Sequence, residues 1–169
     1  MSMRISGIIF SLFALPLLFM AFCNNKGSIN AANDNSGKTI QWKELLSGQG
    51  SSIVTDSQVV CTSSASFDKI WEAAFNDYPG QYEKPAVDFT KNFVICCFRG
   101  NVKSAGYAVK VKDVESTDDK LKVTIEYSEP GPGCMNASVI ETPFTIISIA
   151  GKMNLKPEYI KEKNITKCD

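Results

Sequence analysis

Six cysteines and no histidine set the chemistry open to this 169-residue chain. Without an imidazole, the Ser-His-Asp and Cys-His nucleophilic arrangements cannot be assembled. The usual nitrogen ligand of zinc and iron sites is missing too. Cys23, Cys61, Cys96, Cys97, Cys134 and Cys168 include no C-x-x-C pair, so no zinc knuckle or dithiol redox motif is present. No metal ligand set and no cofactor are expected. Carboxylates remain, and a pair of them can hydrolyse a glycoside. Yet Asp118 and Asp119 sit in a polar loop, and Glu126, Glu129 and Glu141 fall around strand ends, the ordinary places for solvated charge. Gly106, Gly131 and Gly133 do not form a phosphate cradle, because no Gly-rich loop leads into a helix through Lys-Ser/Thr. The expectation is a protein that is not an enzyme.

The cysteines take their meaning from the N-terminus. Met1 to Phe22 carries Arg4 and then an uncharged apolar run interrupted by Pro16, the layout of a secretory signal more than of a membrane span. Cys23 follows directly and is the candidate for lipidation, although Phe22 stands where lipoprotein signals prefer a small residue. Cleavage after Ala31 or Ala32 is the alternative. The protein is therefore expected to be exported to the periplasm or cell surface, anchored to a membrane if Cys23 is acylated. There, Cys61, Cys96, Cys97, Cys134 and Cys168 read as disulfide material. Cys96 and Cys97 are strand neighbours and point to opposite faces. One expected bridge joins a core-strand cysteine to Cys134 or Cys61, and spacing alone does not choose the connectivity. Removing the leader leaves one more acidic than basic residue, with Arg99 the single arginine. No basic stripe exists for nucleic acid.

Positioning these groups falls to one small domain. The reading divides the chain into a signal peptide (1–22), a flexible Asn/Ser/Gly-rich tether (23–39) and a single β-rich domain (40–169). Ser64 is a candidate N-cap, and Phe67, Ile70, Trp71, Ala74 and Phe75 recur at helical spacing, predicting one helix over about 64–76. Asn92 to Arg99 is a continuous apolar run, as in a strand buried on both faces. Tyr107, Val109 and Val111 alternate with lysines, as do Leu121, Val123, Ile125 and Tyr127 beyond a polar hairpin loop. Ile53-Val54, Val59 to Cys61, Val139-Ile140 and Phe144 to Ile149 are further strand candidates. Lys156 to Lys167 reads as either an edge strand or a short helix. The sum is a mostly β (α+β) domain, a small antiparallel β-sandwich with one helix in its N-terminal half.

Three loops stand out as candidate binding elements. The first, from Asn101, contains Ser104 and Gly106 and ends at Tyr107. The second is Pro130-Gly131-Pro132-Gly133-Cys134, and the third is Glu141-Thr142-Pro143-Phe144. Two readings stand side by side: turn chemistry with Tyr107 and Phe144 entering the core, or rigid aromatic-tipped loops forming a protein-binding edge.

The order of these pieces carries a resemblance. The helix Ser66 to Trp71 precedes Val87 to Val94. Then follow Ser104-Ala-Gly-Tyr107, Pro130-Gly-Pro-Gly-Cys134 and Thr142-Pro-Phe144 before a last apolar strand. Together they resemble the C-terminal domain of PrcB-type lipoproteins over roughly residues 53–151. The family often has Gly-Gly-Tyr where this chain has Ala105-Gly106-Tyr107. The resemblance implies a non-catalytic, extracytoplasmic binding protein that stabilises or accompanies a secreted protease complex. The alternative is a chagasin-like inhibitor of cysteine proteases working through the Gly-Tyr, Gly-rich and Pro-Phe loops.

Overall fold

A computed structural model describes residues 37–168. The leader read over 1–22, Cys23 and most of the tether lie outside the described residues. Eight strands and one helix follow in order: β1 (Lys38–Thr39), β2 (Trp42–Gly48), β3 (Ser57–Cys61), α1 (Ser64–Phe75), β4 (Asn92–Phe98), β5 (Ala108–Ser116), β6 (Lys120–Pro130), β7 (Phe144–Ala150) and β8 (Lys156–Thr166). They form two four-stranded sheets, ordered β1-β5-β6-β8 and β2-β7-β4-β3.

The two sheets pack face to face. Phe93, Ile95 and Cys97 of β4 and Ile147 and Ile149 of β7 meet the alternating apolar residues of β5 and β6. The opposite face of the second sheet is covered by Phe67, Ala74 and Phe75 of α1, packed on Val94, Cys96, Phe98 and Ile146. β4 and β7 are thus buried on both faces, which is why their sequences run apolar without alternation. Each fully buried large side chain contributes roughly 1.5–3 kcal/mol of burial free energy. Mostly β with one helix, sandwich-like, is the fold class expected from the sequence. No helix among the described residues is long and apolar enough to cross a membrane.

Several local expectations are corrected. The N-cap is Ser63 rather than Ser64: its side chain accepts from the backbone N–H of Ser66, and the Ser66 hydroxyl accepts from the Ser63 N–H. That reciprocal box fixes the helix start one residue earlier. Pairing begins at Lys38, two residues inside the segment read as tether, because Lys38 and Thr39 pair with Ser116 and Glu115 of β5. Ile53-Val54 and Val139-Ile140 are not strands. Each lacks a partner row, and only Glu141 beyond them makes an isolated bridge, to Val102.

The ambiguous C-terminal segment is an edge strand. β8 pairs with β6 over eleven residues, and the pairing is parallel, unlike the other ladders. Parallel neighbours need a crossover. Here the chain leaves β6, runs through β7 in the other sheet and returns, so β7 is the crossover. Lysines and glutamates along the exposed edge discourage pairing with another chain.

Candidate protein-binding edge

The three loops singled out in the sequence converge at one end of the sandwich. Their roots are set by the β4–β7 ladder, which aligns Phe98 with Phe144. The Arg99 N–H continues it by donating to the Pro143 carbonyl at 2.9 Å. Just outside, Val102 and Glu141 exchange hydrogen bonds at 2.9 and 3.2 Å, and the Ala105 N–H donates to the Ala137 carbonyl at 3.0 Å. Gly106 has φ +92°, and a Cβ there would lie 2.9 Å from Oδ1 of Asn136. A side chain at 106 would therefore be strained by the positive φ and would displace the Asn136 carboxamide.

The second loop is tied to the C-terminus. Gly131 donates its N–H to the Thr166 carbonyl at 2.9 Å, and Cys134 is disulfide-bonded to Cys168 with 5.2 Å between their Cα atoms. Hence the expected bridge from a core-strand cysteine to Cys134 is not the one formed. Cys61, Cys96 and Cys97 are buried free thiols. The β4–β3 register places Cys96 opposite Val59, with Cys61 two residues further along on the same face. The hydrogen bond with Cys61, followed by burial, raises the pKa of Cys96, and burial raises that of Cys97 to about 12. Both remain protonated and inert at neutral pH.

A fourth segment, between β2 and β3, joins the same end. Thr142 Oγ1 accepts from the Ser51 N–H and donates to the Ser51 carbonyl, both at 2.6 Å. Gly100, at φ +79°, lets the Asn101 N–H reach the Val54 carbonyl at 3.1 Å.

Beneath the loops lies Arg99, whose side chain is 9% exposed. Its Nη2 donates to Glu129 Oε1 at 2.6 Å, and its guanidinium lies 5.3 Å from the Tyr107 ring centroid and 4.4 Å from that of Tyr127. Nε and Nη1 are buried without hydrogen-bond partners. The cation is compensated by one carboxylate and two ring faces. Glu129 is held below the usual carboxylate range by Lys163 and, against its partial burial, by Arg99. Asp56 accepts from the Tyr127 hydroxyl at 2.8 Å and from Lys161 at 2.7 Å. Those bonds lower its pKa although burial opposes them. Burial, followed by the bond to Asp56, raises the Tyr127 phenol.

The named candidates divide accordingly. Ser104, Gly106, Tyr107, Gly131 and Gly133 all lie on the loop cluster, Tyr107 half-buried under the Arg99 cation. Pro143 and Phe144 do not reach the surface. Phe144 is 1% exposed and stacks edge-on against Phe75 and Tyr82. The Pro-Phe loop on which the chagasin-like alternative draws therefore keeps its aromatic in the core. Cys23 lies outside the described residues.

Sequence reasoning passed over the residues that do project. Met135 is fully exposed, Ile140 is 75% exposed and Val139 is 43% exposed. Val54 is 56% exposed on the neighbouring segment. Val139 and Ile140 read as a strand because they are β-branched, and Met135 has no pattern to flag it. The lone arginine directly after a buried strand was the one available signal for Arg99. Of the carboxylates, Glu126 is engaged by Lys110 and Lys112 and Glu129 by Arg99 and Lys163, whereas Oε2 of Glu141 is buried without a hydrogen-bond partner. Asp118 and Asp119 sit in the hairpin at the far end. Among the described residues no cluster of three or more metal-ligating side chains occurs.

A family model described as PrcB C-terminal matches residues 93–150. That stretch runs from β4 through β7 and contains all three loops. The resemblance read from the motifs holds there. It is narrower than the 53–151 inferred from the sequence, and α1, β3 and β8 lie outside it. No curated protein matches the chain, and no solved structure does.

Proposed function

Residues 93–150 are the part of the chain that the PrcB C-terminal family describes, and on that premise we propose that this protein is a non-catalytic, exported binding module that accompanies or stabilises a secreted protease complex. The observation that carries the reading is the loop end itself. Apolar side chains project from segments fixed by a disulfide, backbone bridges and a buried Arg99–Glu129 pair. Exposed apolar residues on a pre-ordered base lose little conformational entropy on docking.

The loops lie at the end of β5 opposite to β1. The chain enters the domain at Lys38, opposite Ser116 at the end of β5, whereas the loops cluster at the Ala108 end. Nine residues of β5 separate the two ends, roughly 30 Å at the usual rise per residue.

The test is a crosslinking pull-down of the tagged native protein from its own cell envelope, followed by mass spectrometry. A secreted protease or its propeptide as the dominant partner is the expected result. Recovery of lipids and abundant envelope proteins alone would end the protease assignment.

A further inference from the structure

The proposed partnership with a protease becomes more specific at one loop. Residues 135–140 are all exposed and belong to neither helix nor strand. Met135 at their head is as exposed as a side chain can be, at 101%. Directly before it, Cys134 is bonded to Cys168. Directly after it, the Asn136 carboxamide donates to the Cys134 carbonyl at 3.4 Å and leans on Gly106. The far side is pinned by Ala137, whose carbonyl accepts from Ala105, and by the Val102–Glu141 bridge. The backbone N–H and C=O of Met135 and Asn136 have no intramolecular hydrogen bonds among the described residues.

We propose that the Met135 loop is a substrate-like segment that enters the substrate cleft of an endopeptidase, with Met135 in an apolar primary specificity pocket. The inference rests on the accessory reading above for its biological setting, and on loop geometry for its chemistry. A protease cleft binds its substrate as an added strand, taking main-chain hydrogen bonds from the residues that flank the scissile bond. Free backbone groups at Met135 and Asn136 supply those bonds. An unbranched apolar side chain suits a hydrophobic primary pocket of the kind chymotrypsin has. Anchoring at both ends removes most of the ordering cost.

The disulfide gives this loop a second property. Hydrolysis of the Met135–Asn136 bond would consume one water and leave a carboxylate on Met135 and an ammonium on Asn136. The two pieces would stay joined, because Cys134 is on one and Cys168 on the other. They would also stay folded together, since β7 lies between β2 and β4 and β8 pairs with β6. The disulfide on one side and the Ala105–Ala137 and Val102–Glu141 bonds on the other keep the two ends from leaving the cleft as separate pieces. A protease occupying the cleft is then blocked rather than supplied with a substrate.

The test titrates α-chymotrypsin with the oxidised protein and follows residual hydrolysis of a chromogenic peptide. The wild type is expected to inhibit, and Met135→Asp to weaken inhibition by about 100-fold or more. Met135→Lys is expected to transfer inhibition to trypsin. Met135 touches no core residue, so these variants fold. Any nicked protein should run as one band without reductant and two with it. Equal inhibition by Met135→Asp, or degradation of the chain without inhibition, would overturn the proposal. The native pull-down separates the two readings. Capture of a protease by Met135→Asp as fully as by wild type removes the loop assignment and leaves the accessory role standing. Capture by neither removes the accessory role, and the chymotrypsin titration still decides the loop.

Discussion

Arg99 and Glu129 form a short ion pair, 2.6 Å from Nη2 to Oε1, in which the guanidinium is almost wholly buried and the carboxylate is shared with Lys163. The pair links the end of β4 in one sheet to the end of β6 in the other, under the loops that carry the proposed site. Removing one partner of a buried pair leaves the other uncompensated. Arg99→Ala is expected to cost about 3 kcal/mol, and Arg99→Met less, because its stem still fills the space between Tyr107 and Tyr127. Urea midpoints at unchanged slope measure the difference. A loss below about 0.5 kcal/mol for Arg99→Ala, the range of ordinary surface substitutions, would contradict it.

Gly100 should tolerate no side chain. Its φ is +79°, and a Cβ would lie 2.8 Å from the Val54 carbonyl oxygen and 2.9 Å from the Asp56 nitrogen. Both contacts are backbone, so neither can rotate away. Gly100→Ala is expected to destabilise by roughly 2 kcal/mol or more, from strained φ and steric displacement together. Gly133, also at positive φ but with open space around it, should lose less. Comparing the two variants by thermal unfolding isolates the steric part.

The disulfide assignment makes a mapping prediction. Non-reducing peptide mapping should recover the Cys134 and Cys168 peptides joined, and Cys61, Cys96 and Cys97 alkylated only after denaturation. Closing a segment of 34 residues restricts the unfolded chain by roughly 3–4 kcal/mol in the loop-entropy account. Replacing both cysteines by serine should lower stability by about that amount and free the end of β8. A Cys61–Cys96 bridge in the native protein would refute the assignment.

The pH dependence follows from Asp56 and Glu129. Both have folded pKa values below their ordinary 3.8 and 4.5. The unfolded chain therefore binds more protons than the folded one across that interval, and stability rises with pH there. The stabilisation is complete above about pH 5 and is lost as pH falls through the folded values. An Asp56→Asn, Glu129→Gln double variant should be less stable at neutral pH and show a shallower decline between about pH 4.5 and 2. Urea denaturation across that range checks it, and parallel curves for wild type and variant would contradict it.

Fold class was legible in the sequence because burial leaves a direct mark on residue type. The uninterrupted β4 run required a strand covered on both faces, and the structure covers it with a sheet and a helix. Helix spacing placed Phe67, Ala74 and Phe75 on the core face. The alternation in β5 and β6 fixed which residues turn inward. The order of the Gly-Tyr, Pro-Gly-Pro-Gly and Thr-Pro-Phe segments carried the family resemblance, and the match over residues 93–150 rests on the same stretch.

What the sequence determined by itself, then, was which residues need burial, where the chain turns, and that no histidine-dependent chemistry is available. Those are local properties, fixed by side-chain polarity and backbone freedom. Only the tertiary structure decided that Cys134 meets Cys168, that Phe144 belongs to the core while Met135 projects, and that β8 lies parallel to β6. These outcomes depend on which segments distant in the chain end up adjacent. That is settled by the packing of two sheets against each other and not by any residue's own preference.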